Sequence, residues 1–209
     1  MSLVVVVCEG PTEKKFLNKV VLPGVPNQVF TSIVLDGNVR LPLVLNALEH
    51  ASKSREYRRA YFTTFIDLSG LEGKEWGDRR AGTAVEKERL ILETLKQRMV
   101  DSTFFERFRP HVQPHEFEAL LFSDPSRMAK GLGRPDLAKE FQAILDEAGT
   151  PEAINTTPER YPAHRITALM GGYRKVLRGI AVAEEVGLEA MEENCPHFAG
   201  WMDWLRNLP

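Results

Sequence analysis

Residues Leu3-Val4-Val5-Val6-Val7-Cys8 run directly into Glu9-Gly10-Pro11-Thr12-Glu13, so an apolar, β-branched stretch ends on a carboxylate just before a helix-opening proline. Four successive valines leave no polar/apolar alternation, which predicts a strand covered on both faces, as in a parallel sheet sandwiched by helices. Glu9 then falls at the carboxyl edge of that sheet, where α/β proteins gather their chemistry. A carboxylate bordering such a run loses hydration unless a cation, hydrogen bonds or solvent compensates. A bound metal is one such compensation.

The same alternation of strand and helix continues. Pro11 or Thr12 opens a helix with Phe16, Leu17, Val20 and Val21 at helical spacing, ended by Pro23-Gly24. A second strand carries Val29, Thr31, Ile33 and Leu35. Asp36-Gly37-Asn38 then turns the chain into a helix bearing Leu41, Val44, Leu45 and Leu48. The third strand, Ala60 to Ile66, runs into Asp67, so a second acid closes a second strand. Four glycines between Ser69 and Gly82 (Gly70, Gly73, Gly77, Gly82) predict a mobile loop beside that acid. Thr83 to Glu86 reads as a capping box ahead of a helix with Leu90, Ile91, Leu95 and Met99 on one side. A short fourth strand is expected at Arg109 to Gln113, and Glu116 to Phe122 is a short helix or strand that periodicity does not separate.

The expected architecture is therefore α/β: a mostly parallel sheet of about four strands flanked by helices over residues 1–124. A helical extension over 125–209 packs on it, with segments near Asp136–Glu147, Arg165–Met170, Tyr173–Glu185 and Pro196–Leu208. Trp201 and Trp204, with Phe198 and Leu205, lie at helical spacing and are expected to anchor the last helix.

Composition narrows the function classes. A net charge of -2 argues against a protein that coats nucleic acid nonspecifically, because such domains are usually strongly basic. Two cysteines, Cys8 and Cys195, make no disulfide framework, which points to a reducing cytoplasm. The apolar N-terminal run has no basic start and is too short for a signal peptide or membrane span. No G-x-S-x-G elbow is present. Gly70 to Glu75 lacks P-loop spacing, and His115-Glu116 is not followed by the second histidine of a zinc-protease motif. Pro114 between His111 and His115 argues against one helix presenting both to zinc, so a structural role is expected for them.

In a parallel sheet all strand C-termini lie along one edge, so Glu9 and Asp67 come within reach if their strands adjoin. Two carboxylates with waters and phosphate oxygens suit Mg²⁺ or Mn²⁺. Glu116, Glu118 and Asp36 are reserves, with Glu118 the choice for a third ligand. Either acid could instead cap the following helix. Basic groups at Lys53, Arg55, Arg58 and Arg59, and at Arg79 and Arg80, read as solvated faces. Arg165 and Lys175 are the basic residues singled out for contacting substrate phosphates.

Three strings, Cys8 to Phe16, Phe65-Ile66-Asp67-Leu68-Ser69-Gly70-Leu71 and Pro114 to Phe122, resemble a bacterial family of unknown function in the Toprim-like group. The likeness continues through Ile154-Asn155, Arg165-Ile166, Tyr173-Arg174-Lys175 and Cys195-Pro196-His197-Phe198. Toprim domains of topoisomerases, primases and overcoming-lysogenisation-defect nucleases hold divalent metal with an acid after the first strand and an Asp-x-Asp pair after a later one. The resemblance implies that Glu9 is the first acid and Asp67 the leading aspartate; Ser69 stands where the second aspartate would be, a weaker Mg²⁺ ligand. It also implies a Mg- or Mn-dependent nuclease acting on DNA or RNA, with a separately encoded ATPase of the recombination-protein type as partner and a role in phage defence. The alternatives are a noncatalytic interaction module of the same fold, or a phosphoesterase or nucleotide-binding protein.

Overall fold

The computed structural model describes residues 1–77, 82–154, 161–172 and 178–209. Its strands are β1 (Ser2–Cys8), β2 (Gln28–Val34), β3 (Val39–Arg40), β4 (Tyr61–Asp67), β5 (Leu71–Glu72), β6 (Phe108–Arg109) and β7 (Val112–Gln113). The main sheet runs β2-β1-β4-β6 with β7 also on β4, and every pairing is parallel. The α/β expectation therefore holds, with a sheet of five strands. The single strand expected at Arg109 to Gln113 is split in two, because the chain leaves the ladder at Pro110 and His111, where proline has no N–H to donate.

The valine run behaves as its lack of alternation requires. Val4, Val6 and Cys8 point into one apolar cluster and Val5 and Val7 into the other, and all five are fully buried. Each valine so buried stabilises the fold by about 1.5–3 kcal/mol as an upper estimate. One face is covered by α2 (Leu41–Lys53) and α3 (Ala84–Arg98), with α4 (Thr103–Glu106) supplying Phe104. The other carries α1 (Pro11–Phe16), α5 (Pro125–Gly131), α6 (Ala138–Ala148), α7 (Pro162–Met170), α8 (Ile180–Val186), α9 (Leu188–Asn194) and α10 (Pro196–Arg206). Val4 and Leu208 belong to the same cluster, so the C-terminal helices share their core with the sheet. Among the described residues no strand follows Gln113. No helix of the described residues is long and apolar enough to cross a membrane.

Helical packing of α10 follows the expected anchor. Phe198, Trp201 and Leu205 are buried, Trp204 packs edge-on against Tyr61, and the Trp201 indole Nε1–H donates to Thr63 Oγ1 at 2.9 Å. The first helix departs from the simple pattern. After Phe16 it continues as a π-helical stretch, Leu17–Val21, then a 3₁₀ turn, Leu22–Gly24. The Glu116 to Phe122 segment resolves to a 3₁₀ helix, Phe117–Ser123, preceded by the positive φ of His115.

From Gly70 to Gly77 the glycine-rich segment is tied down where its composition predicts a mobile loop, and residues 78–81 lie outside the described residues. β5 pairs with β3, Leu71 and Trp76 are buried, the Trp76 indole donates to the Val39 carbonyl at 2.8 Å, and Lys87 Nζ donates to the Trp76 carbonyl at 2.8 Å. One buried tryptophan outweighs the freedom of the flanking glycines. Arg79 and Arg80 lie outside the described residues.

Candidate metal centre at the strand ends

Parallel register brings the two strand-end acids together. Cys8 of β1 pairs with Phe65 of β4, so Glu9 follows one strand end and Asp67 closes the neighbouring one on the same rim. Between them lies Gly70. A Cβ built there would stand 2.4 Å from Glu9 Oε2 and 2.9 Å from both Cδ and Oε1, so the Glu9 carboxylate rests against a backbone that has no side chain to obstruct it. Gly70 N–H in turn donates to the Asp67 carbonyl at 3.1 Å, tying that glycine to the second acid.

The rim is shaped by strand-to-strand extensions of the ladder. Leu68 N–H donates to Gln113 and Ser69 N–H to His115, so the chain after Asp67 runs alongside the chain after β7. This places Phe117 N–H 3.0 Å from Asp67 Oδ1, and that bond fixes the aspartate's orientation although the residue is only 2% exposed. On the other flank Gly37 N–H donates to the Glu9 carbonyl, which brings the Asp36 turn to the rim as well, with Asp36 itself exposed. Glu13, on the first helical turn, is buried at the same end, its Oε2 3.2 Å from where a Gly10 Cβ would stand.

The remaining residues singled out from sequence divide. Glu118 is fully buried in the 3₁₀ helix, one residue beyond the N–H that holds Asp67. Glu116 Oε2 accepts the Ala163 N–H at 2.9 Å and so fastens the start of α7 to the rim loop. Arg165 sends both terminal guanidinium nitrogens to Glu147 Oε2 at 3.0 Å, a link from α7 to α6. Lys175 and Arg174 lie outside the described residues. Ser69 gives its N–H to the rim and contributes a hydroxyl, not a charge, at its position.

Glu9 and Asp67 thus stand on adjoining strand ends, with a glycine against the Glu9 carboxylate; hard dications such as Mg²⁺ or Mn²⁺ keep several waters and use one or two protein carboxylates. Both thiols are poor nucleophiles. Burial pushes Cys8 and Cys195 up to about 12.

A second cluster escaped the sequence reading. Glu88 of α3, His111 of the β6–β7 link and His197 of α10 present ligand atoms that all lie within 4.8 Å, the one such group of three among the described residues. Their positions in the chain share no spacing motif, so only the packing of α10 and α3 across β7 reveals them. Burial, with the neighbouring His197, holds His111 well below the ordinary histidine range. Burial also pulls on His197, but the Glu88 hydrogen bond and charge prevail and raise it. His115, expected to be structural with His111, is also held low by burial.

The fold and rim define a parallel α/β protein with paired acids at the carboxyl ends of adjoining strands. The chain belongs to the family described as a domain of unknown function (DUF4276), which matches residues 8–206. No curated protein and no solved structure matches it.

Proposed function

We propose that this protein binds Mg²⁺ or Mn²⁺ through Glu9 and Asp67, with Glu118 completing the acidic wall, and processes phosphodiesters in DNA or RNA as a Toprim-like nuclease. The observation that carries this reading is the meeting of Glu9 and Asp67 across adjoining strand ends, with Gly70 seated against the Glu9 carboxylate. The dication would neutralise charge developing on a phosphate and acidify an attacking water. The protein's own part is positional: the Phe117 N–H orients Asp67, and the absent side chain at Gly70 lets Glu9 lie along the rim. Arg165 and Lys175 are the proposed phosphate contacts, with Arg165 exchanging its Glu147 partner for substrate. An ATPase encoded separately would deliver nucleic acid to a chain whose net charge of -2 gives little unspecific attraction to it, and phage defence is the setting in which such a pair would act.

Cleavage of plasmid DNA and of RNA with Mg²⁺ or Mn²⁺, by the parent protein and by Glu9→Gln and Asp67→Asn, tests this. Loss in both variants supports it; equal cleavage by all three assigns the activity elsewhere. Ser69, a hydroxyl in place of a second rim aspartate, favours the second reading, a noncatalytic module that keeps the fold and serves its partner by contact. That reading expects no cleavage by any of the three while the partner is still bound.

A further inference from the structure

On the side of β7 turned away from β4, the backbone of Val112 is met by side chains. Val112 N–H donates to Glu88 Oε1 at 2.8 Å, and the His197 Nε2 that faces the Val112 carbonyl at 3.1 Å is itself 2.8 Å from Glu88 Oε1. His111 completes the group, its Nδ1 3.8 Å from the same carboxylate oxygen. The far nitrogen, Nε2, lies 3.4 Å from Gln113 Oε1, an acceptor only. A proton on that nitrogen leaves the Nδ1 lone pair turned inward, so that two acceptors, Nδ1 and the carboxylate oxygen, face one another. A cation between them resolves that opposition, and an outward imidazole N–H given to a side-chain oxygen is the usual support of a metal-bound histidine.

We propose that Glu88, His111 and His197 form a second metal site, for a borderline transition-metal dication of the Zn²⁺ type, separate from the acidic rim. Two imidazole nitrogens with one carboxylate oxygen suit such an ion, whereas an all-oxygen set suits Mg²⁺. Tetrahedral coordination at about 2.0–2.1 Å sets ligand atoms roughly 3.3 Å apart. The two separations of 2.8 and 3.8 Å around Glu88 Oε1 lie on either side of that value, and all three ligand atoms fall within 4.8 Å of one another. The cage is firm on its other sides. His111 stacks on Trp201 at 4.9 Å and on Phe65 at 5.4 Å, and the Glu152 carboxylate holds the backbone N–H groups of His197 and Phe198 at 3.0 Å. The three ligands would join α3, the β6–β7 link and α10. Because Gln113 pairs with Asp67, an ion here braces the short strand that carries the rim loop. The competing occupant is a proton on His197 Nε2 shared with Glu88 and the Val112 carbonyl, which would make the triad a hydrogen-bonded clamp on the sheet edge.

Titration of the full chain, stripped with chelator, with Zn²⁺ by calorimetry and with Co²⁺ by visible absorption tests the site. One saturable Zn²⁺ is expected, together with Zn-edge X-ray absorption showing two imidazole ligands in the parent protein. His197→Gln, at a partly exposed position, is expected to weaken Zn²⁺ more than about 100-fold, beyond the 10–100-fold typical of losing an outer partner, and to abolish the rise in Tm that Zn²⁺ gives the parent. Glu9→Gln and Asp67→Asn are expected to leave Zn²⁺ binding unchanged. No saturable Zn²⁺ binding by the folded parent, an absorption spectrum without imidazole, binding that survives His197→Gln, or binding lost in Asp67→Asn each overturns the proposal.

Discussion

The carboxylate of Glu9 lies where a side chain on Gly70 would begin: Oε2 is 2.4 Å from the position of a Gly70 Cβ. Gly70 has no positive φ that would itself demand glycine, so the requirement is steric and directed at one residue. Gly70→Ala is therefore expected to push the flexible end of Glu9 off the rim while leaving the fold within about 1 kcal/mol of the parent. The measurement is Mn²⁺ affinity set beside denaturant stability. Affinity should fall roughly tenfold or more, about 1.4 kcal/mol, without a matching loss of stability.

Asp67 has two separable duties. Its Oδ1 accepts the buried Phe117 N–H, and it is one of the two acids proposed to hold the metal. Asp67→Asn keeps an acceptor and removes the charge, so it should lose metal binding at little cost in stability. Asp67→Ala also strips the N–H of this acceptor and is expected to destabilise the protein by about 1–3 kcal/mol. Urea unfolding of the two variants distinguishes them.

Within the apolar layer beneath the terminal helix, the Trp201 indole N–H donates to Thr63 Oγ1. Thr63→Val preserves shape and removes the acceptor of the Trp201 indole N–H, so about 1–3 kcal/mol of stability should disappear. Denaturant unfolding of the parent and Thr63→Val, followed by intrinsic tryptophan fluorescence, measures the loss.

At the start of α3, Thr83 Oγ1 accepts the Glu86 N–H at 3.2 Å and Glu86 Oε2 accepts the Thr83 N–H at 2.7 Å. Thr83→Ala should cost about 1 kcal/mol. The Thr83 backbone bond holds the Glu86 carboxyl below its ordinary 4.5. A depressed carboxyl stabilises the fold above its unfolded value and ceases to as pH falls through the folded one. The stability gap between the parent and Glu86→Gln is thus expected to be constant above pH 4.5 and to close below it, as followed by thermal unfolding across that range.

Much of this molecule could be read from the chain because its strongest signals are local. The unalternating valines announced a strand buried on both faces, Asp67 ended the strand that proved to adjoin it, and the Thr83 to Glu86 box started its helix. The signals failed where tertiary packing overrides composition. Gly70, Gly73 and Gly77 suggested mobility, yet Trp76 and the pairing of Leu71–Glu72 with Val39–Arg40 fasten that segment. Glu88, His111 and His197 meet only because α10 returns across the sheet edge, a closure that no spacing in the sequence encodes.

Manganese binding tests the central claim most directly. Calorimetric or paramagnetic-resonance titration of the parent, Glu9→Gln and Asp67→Asn proteins should show saturable Mn²⁺ binding in the parent, weakened at least about tenfold in each folded variant. Identical Mn²⁺ isotherms for all three would contradict a metal centre at the strand-end rim.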